Sequence, residues 1–437
     1  MGKWYLAPLA LAAHMYALNR TDKKALSILA FAVTFNALLL HWTSIYVGSI
    51  PWLILTFGLS LLYLPLILIK RWGIAAYPLL FVIAEEIRNR FPFGGFGWGR
   101  VAYSQADAPF SKIAAYGGAI ALSAITALVA LFIFLLGQKH FRPLILLPLL
   151  LLFLSSSISE TFQTNVLMVQ GNVPQYGLDF NSRATQVFFN HVRETDEALA
   201  VNENIDFILW PENAVDVDPF NNKMVSSELN KYDLPLLIGA IVDNNGATLN
   251  TSILWRNYGH ELYAKQHLTP FGEYIPLRSL ASKISPLVDQ VDDFSAGNQS
   301  KVFKIGKAMV APVICYELID DSILENAAKS SNILAVQTNS ATFGRSAESA
   351  QQLSISRIRA IEHSRNILSV STTGYSAIIN YKGDIVQKTS LGTVEHIYAS
   401  VGLIDSKSVR DRLGDWAMIF TLMWLLLVSR RAYVLRR

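Results

Sequence analysis

A chain of 437 residues with one cysteine, Cys315, has no partner for an internal disulfide and cannot build a cysteine-based metal site. Charge is also scarce. Asp, Glu, Lys and Arg make up 16% of the residues, and base exceeds acid by only +4. No basic block is interleaved with aromatics, which argues against a nucleic-acid surface. Internal repeats and low-complexity tracts are missing, and no small-residue cleavage pattern follows the first apolar run. That run is therefore expected to stay in the mature chain rather than leave as a secretory signal. What the sequence does have is apolar surface. Hydrophobic residues reach 52% and mean hydropathy is +0.32, too high for an ordinary soluble protein, so part of the chain must lie in lipid.

Crossing a hydrocarbon core of roughly 30 Å takes about 20 helical residues. Apolar runs at residues 4–18, 25–40, 51–69, 73–84, 113–136, 143–155 and 416–428 are the expected spans. The first six make an N-terminal transmembrane domain over residues 1–160, and the last makes a C-terminal helix with a basic tail. Lys and Arg mark cytoplasmic loops. Placing Arg430, Arg431, Arg436 and Arg437 inside puts Arg20, Lys23, Lys24, Lys70, Arg71, Lys139 and Arg142 inside as well. Arg88, Arg90 and Arg100 disagree, because alternation places them outside. The summed bias still favours a cytoplasmic C-terminus, with the segment between the sixth and seventh spans on the outer face.

That segment, residues 164–405, has a different texture. VLMVQ (166–170), FILW (207–210), LLIGAIV (236–242), SILW (252–255), MVAPVIC (309–315), ILAVQT (333–338), ILSVSTT (367–373) and SAIIN (376–380) read as strands divided by Asn-, Asp- and Gly-containing turns. Several are apolar on both faces and need cover on both sides. Residues 182–200 and 349–365 read as helices between them. The pattern predicts an α/β or layered sandwich.

Glu212 follows FILWP, Lys265 lies in LYAKQHLTPFGEYIP, and Cys315 ends MVAPVIC, so all three sit at strand ends or just beyond them. Layered α/β folds gather reactive groups at such ends. Taken singly, each has an ordinary explanation: a loop carboxylate, a solvated lysine, a core cysteine. Taken together they make a chemistry. A thiol needs a carboxylate to take its proton or a cation to stabilise its anion, and Glu212 and Lys265 supply these. Lys265 and the Tyr316 backbone N–H could donate to the oxyanion formed when a thiolate attacks an ester.

WPENA (210–214), KQHLTPFGEYIP (265–276) and ICYE (314–317) resemble the three signatures of the nitrilase superfamily, and in particular of its membrane branch, the apolipoprotein N-acyltransferases. VLMVQGNVPQ (166–175), GWGRVAYSQ (97–105) and the segment 339–365 are similar to further parts of that family, so the likeness covers nearly the whole chain. It implies a multi-span α-helical membrane domain plus an extracytoplasmic αββα sandwich in the bacterial cytoplasmic membrane. It also implies a ping-pong reaction needing no cofactor or metal. Cys315 would take a fatty acyl group from a glycerophospholipid as a thioester, and the α-amine of a lipoprotein's diacylglyceryl-cysteine would then receive it. Glu212 would be the base, Lys265 the oxyanion partner, and Glu273, Tyr316 and Glu317 supporting residues. Three features depart from the family: one N-terminal span fewer, and Phe180 and Thr342 where a Trp is common. A membrane-tethered amidase of the nitrilase type acting on a small amide is the alternative enzyme, and a membrane scaffold without catalysis is the alternative of another class.

Overall fold

The structure, a computed structural model, describes residues 2–138, 158–173, 184–283 and 293–434. The chain divides into two compact units, residues 158–407 forming the bulk of one and the helices before 139 and after 407 the other.

The larger unit contains twelve strands: β1 (Phe162–Gln170), β2 (Phe207–Leu209), β3 (Leu236–Asn244), β4 (Ala247–Arg256), β5 (Gly259–Ala264), β6 (Phe303–Ile305), β7 (Ala308–Ile314), β8 (Ile333–Thr338), β9 (Ile367–Ser371), β10 (Ala377–Ile379), β11 (Ile385–Lys388) and β12 (Glu395–Leu403). They form two six-stranded sheets, ordered β12-β1-β2-β3-β4-β5 and β11-β10-β9-β8-β7-β6. Each sheet has a parallel trio at its centre, β1-β2-β3 in one and β7-β8-β9 in the other, flanked by antiparallel strands.

Strand period explains the layering. In β1, Val166 and Met168 point between the sheets and meet Phe207, Val310 and Leu368, while Leu167 and Val169 point outward against Phe188 and Val192 of the helix Ala184–Leu199. The helices Asp321–Ser330 and Glu348–His363 pack on the second sheet. The result is an α/β sandwich of two sheets with helices outside. Each such fully buried Leu, Val or Phe contributes about 1.5–3 kcal/mol. The Gln337 side chain of β8 donates to the Trp210 carbonyl across the core at 2.8 Å, tying the two sheets together just before Glu212.

The eight expected strands are all present. The four further strands, β5, β6, β11 and β12, are the edges of the sheets. The expected helices correspond to Ala184–Leu199 and Glu348–His363.

In the helical unit, Ser49–Trp72 and Ser111–Gly137 are long and apolar enough to cross a membrane. Shorter helices occupy the first, second, fourth and last expected spans: Leu6–Arg20, Lys24–Leu39, Tyr77–Arg90 and Trp416–Val434. The expected span at 143–155 lies outside the described residues. Glu86 is buried and pairs with Arg90 and with Arg100, the latter at 2.7 Å, and Glu85 accepts the Val101 N–H at 2.7 Å. Together they hold the segment GWGRVAYSQ on the end of the helix Tyr77–Arg90. Arg88 is buried and donates to the Tyr63 hydroxyl at 2.8 Å.

Removing one partner of a buried ion pair costs roughly 3–5 kcal/mol, because the other charge is left uncompensated. Glu86→Leu is therefore expected to lower the thermal stability of the detergent-solubilised protein by several degrees. A midpoint equal to that of the unaltered protein would contradict the pairing.

Candidate active site

The site is built at the ends of central strands. β7 runs to Ile314, and Cys315 then adopts φ +49°, a left-handed conformation uncommon for a residue with a side chain. The chain turns at once into the 3₁₀ segment Cys315–Ile319. This elbow lifts the thiol from the strand end and leaves the Tyr316 N–H in the first turn behind it. Backbone strain of this kind, typically about 1–3 kcal/mol, persists only where the surroundings impose it. Here they do. Glu317 is fully buried and accepts from the Ile314 N–H at 2.8 Å, the Tyr263 hydroxyl at 2.7 Å and the Gln266 N–H at 2.6 Å. One carboxylate thus fastens the thiol's turn to the segment that follows Lys265.

Glu212 follows β2 by three residues. Its loop lies so close to β3 that a Cβ on Gly239 would stand 2.3 Å from the Pro211 carbonyl oxygen and 2.6 Å from the Glu212 Cα. Gly239 is thus the residue that permits the approach. Lys265 follows β5 directly, with its N–H bonded to the Asn250 carbonyl at 2.9 Å and its own carbonyl accepting from Gly297 at 2.8 Å.

The side chains converge. The Lys265 ammonium, only 1% exposed, lies 2.7 Å from Glu273 Oε2 and 3.5 Å from Glu212 Oε1, and donates to the Thr269 hydroxyl at 3.1 Å. Asn250 Nδ2 donates to Glu212 Oε1 at 2.8 Å and to Glu273 Oε1 at 2.6 Å, one N–H to each carboxylate. The Thr269 N–H donates to Glu273 Oε2 at 2.7 Å. The Cys315 thiol hydrogen-bonds to Glu212, and Gln352 Nε2 lies 3.7 Å from Cys315 Sγ.

This geometry sorts the ionisations. Burial pulls the Lys265 ammonium toward neutrality, but Glu273 and Glu212 outweigh it and hold its pKa above the ordinary lysine value. Burial pushes Glu273 up, yet Lys265 and three hydrogen bonds bring it below the usual carboxylate range. Glu212 goes the other way: burial and the charge of Glu273 raise it, against the pull of Lys265, Asn250 and Cys315. Burial and the charge of Glu212 push the Cys315 thiol up, with Lys265 opposing. Glu273 is thus the permanent counter-ion of Lys265, and Glu212 is a carboxyl poised to take a proton from a thiol that rests neutral. Among the described residues no group of three His, Cys, Asp or Glu side chains is placed to hold a metal ion.

The profile of the apolipoprotein N-acyltransferase N-terminal domain matches residues 1–132, and that of the carbon-nitrogen hydrolases matches residues 155–411. The apolipoprotein N-acyltransferase of Mycolicibacterium smegmatis is 32% identical over 89% of this chain and 75% of its own length. The chain belongs to the apolipoprotein N-acyltransferase family. The relative from Geobacter metallireducens is 28% identical over 95% of this chain and 89% of its own. Among solved structures, an amidase from Nesterenkonia sp. aligns with 61% of this chain and 100% of its own at 14% identity and a TM-score of 0.43.

All six site residues expected from the sequence lie in this one region. Tyr316 is buried, with its ring edge-on to His267 at 5.1 Å. Asn250, Thr269 and Gln352 are not marked by the sequence. Asn250 sits in TLNTS, beside the turn Asn245-Gly246, and such polar composition reads as loop; only the hairpin pairing shows it as the middle of a strand. Thr342 lies in the 3₁₀ turn Ala341–Phe343, and Phe180 falls outside the described residues.

Hydrogen bonds to charged groups are worth about 1.5–3 kcal/mol, so Asn250→Leu is expected to lower acyl-transfer turnover roughly 10- to 100-fold. The pH profile gives the sign. Asn250 is one of the groups drawing the Glu212 pKa down, so its removal lets that pKa rise, and the acidic limb of activity moves to higher pH. A limb that stays in place, or moves to lower pH, contradicts the role given to Asn250.

Proposed function

We propose that this chain is a multi-pass enzyme of the bacterial cytoplasmic membrane. It moves a fatty acyl group from a glycerophospholipid to the α-amine of diacylglyceryl-cysteine at a lipoprotein's N-terminus. The observation that carries this reading is the division of labour among Glu212, Lys265 and Glu273, in which one carboxylate satisfies the buried ammonium and leaves the other to serve the thiol.

In the first half-reaction Glu212 takes the Cys315 proton as sulfur attacks the donor's ester carbonyl. Lys265, with the Tyr316 N–H, faces the oxygen on which negative charge develops. Collapse expels the lysophospholipid alkoxide, which recovers the proton from Glu212 and leaves an acyl thioester on Cys315. In the second half-reaction the acceptor's amine attacks that thioester, and Glu212 moves a proton from nitrogen to the departing sulfur. Glu273 keeps Lys265 charged and oriented, and Glu317 keeps the turn at Cys315 in place.

Family membership and the two long apolar helices support the membrane assignment, with domains at residues 1–160, 164–405 and 416–428. Loop charges favour a cytoplasmic C-terminus and a catalytic domain on the outer face. Both substrates are lipids whose chains resist transfer to water by about 0.8 kcal/mol per methylene, which suits a site served from the membrane.

Protein incubated with phospholipid carrying a labelled acyl chain is expected to gain that chain on the Cys315 peptide, read by mass spectrometry. Cys315→Ala should lose the adduct and roughly 10³-fold or more of N-acylation. If Cys315→Ala still N-acylates a diacylglyceryl lipopeptide, the mechanism is wrong. If the unaltered protein gains no adduct yet hydrolyses small amides, the amidase reading replaces it.

A further inference from the structure

The mechanism leaves unused a buried carboxyl on the helix that faces the thiol. Glu348, 2% exposed, opens the helix Glu348–His363, and Gln352 lies one turn further along the same face. That face is turned to the thiol, because Gln352 Nε2 reaches Cys315 Sγ at 3.7 Å. The helix is fixed in this pose by Arg359, which donates to the Leu318 carbonyl at 2.9 Å, in the turn that Cys315 opens, and to Asp321 at 2.8 Å. The Glu348 carboxyl accepts a hydrogen bond from the Ser340 hydroxyl, and its Oε2 has no partner among the described residues. Its charge is felt at Cys315, and that of Glu212 is felt at Glu348. A buried carboxyl oxygen without a partner is costly unless something fills the position during function.

We propose that Glu348 receives the acceptor's amine, its Oε2 accepting an N–H of the incoming ammonium beside the acylated Cys315. This rests on the acyl-transfer reading above. An α-amine arrives largely as ammonium, which has no lone pair to attack with, so it must lose one proton before attack and another afterwards. Glu212 handles the second, passing it to sulfur, and Glu348 takes the first. In full, an ammonium N–H bond breaks and a carboxyl O–H bond forms on Glu348. The nitrogen lone pair then adds to the thioester carbonyl, and the C–S bond breaks as the second nitrogen proton goes through Glu212 to the thiolate. Glu348 returns its proton to solvent, so the products are one amide, one thiol and one released proton.

Burial, with the charge of Glu212 added, pushes Glu348 up to about 8 against the pull of Ser340. An α-amino group titrates near 7.7–8.0, so proton transfer between the two is close to balanced, and an approaching cation favours the carboxylate it needs.

The test separates the half-reactions. Unaltered protein and Glu348→Gln are loaded from phospholipid vesicles carrying a labelled acyl chain. The acyl-enzyme is then chased with a synthetic diacylglyceryl-cysteine lipopeptide or with hydroxylamine, an amine already neutral near physiological pH. Loading and the hydroxylamine chase are expected to stay within about twofold, while the lipopeptide chase slows on the order of 100-fold, the usual size of a lost general base. Glu348→Asp should recover part of that rate. Equal loss in both chases, or in loading, would mean that Glu348 only shapes the helix end, and an unchanged lipopeptide chase would overturn the assignment outright. Failure of the unaltered protein to load sinks the acyl-transfer reading itself and this assignment with it. A protein that loads normally while Glu348→Gln behaves like it sinks this assignment alone.

Discussion

An ammonium group with almost no solvent contact sets the terms for the whole catalytic domain. Taking the charge of Lys265 out of water costs several kcal/mol, and only close opposite charge with further hydrogen bonds offsets it. Glu273 at 2.7 Å does so, while Glu212 at 3.5 Å stands farther off and is only partly engaged. That asymmetry makes two carboxylates of one residue type behave differently. Asn250 maintains it by donating to an oxygen of each from one amide nitrogen, which restrains Glu212 from swinging over to claim the lysine as well. The scaffold follows from the same need. Glu212, Lys265 and Cys315 follow β2, β5 and β7, in two different sheets, and they meet because the sheets pack face to face over an apolar core.

Much of this was legible in the sequence, and the part that was not has a physical pattern. The eight strands readable from apolar runs include all six of the parallel trios, whose faces are both covered, so nearly every side chain is apolar. The four unread strands are edges. β5 is GHELYA and β11 is IVQK, with one flank open to water and a composition close to that of the turns beside them. Glu212, Lys265 and Cys315 could be found because each stands in a distinctive local motif at a strand end. Asn250 and Glu348 could not. Asn250 acts from mid-strand and Glu348 from the first residue of a helix, and at both positions a polar residue has an ordinary local explanation. Their roles exist only in relation to groups tens of residues away.

The arginines that disagreed with the loop-charge topology are explained by the same kind of reasoning. Arg88 belongs to a helix and is buried against Tyr63, and Arg100 is buried on Glu86. Loop-charge counting concerns residues exposed to headgroups during insertion. Two of these three arginines are parts of an interior network, fixing a segment to a helix end rather than marking a side of the membrane. The weight against an external placement of this loop is correspondingly smaller than a count of Arg residues suggests.

The ionisable groups around Cys315 also bear on whether water or an amine is the second acceptor. With Lys265 positive and Glu273 negative, ionising both Glu212 and Glu348 would leave a double negative charge in a buried space, and burial with this repulsion raises both carboxyls above the ordinary carboxylate range. That provides two places where a proton can be taken up or given back at little cost. Hydrolysis of a thioester needs only one, because water gives up one proton and the thiolate reclaims it. Aminolysis by an ammonium needs two, one to free the lone pair and one to complete the amide. A site built for water alone would gain nothing from burying a second carboxyl with an open oxygen on the same helix face as Gln352. On the assignment proposed for Glu348, a site built for an amine uses both.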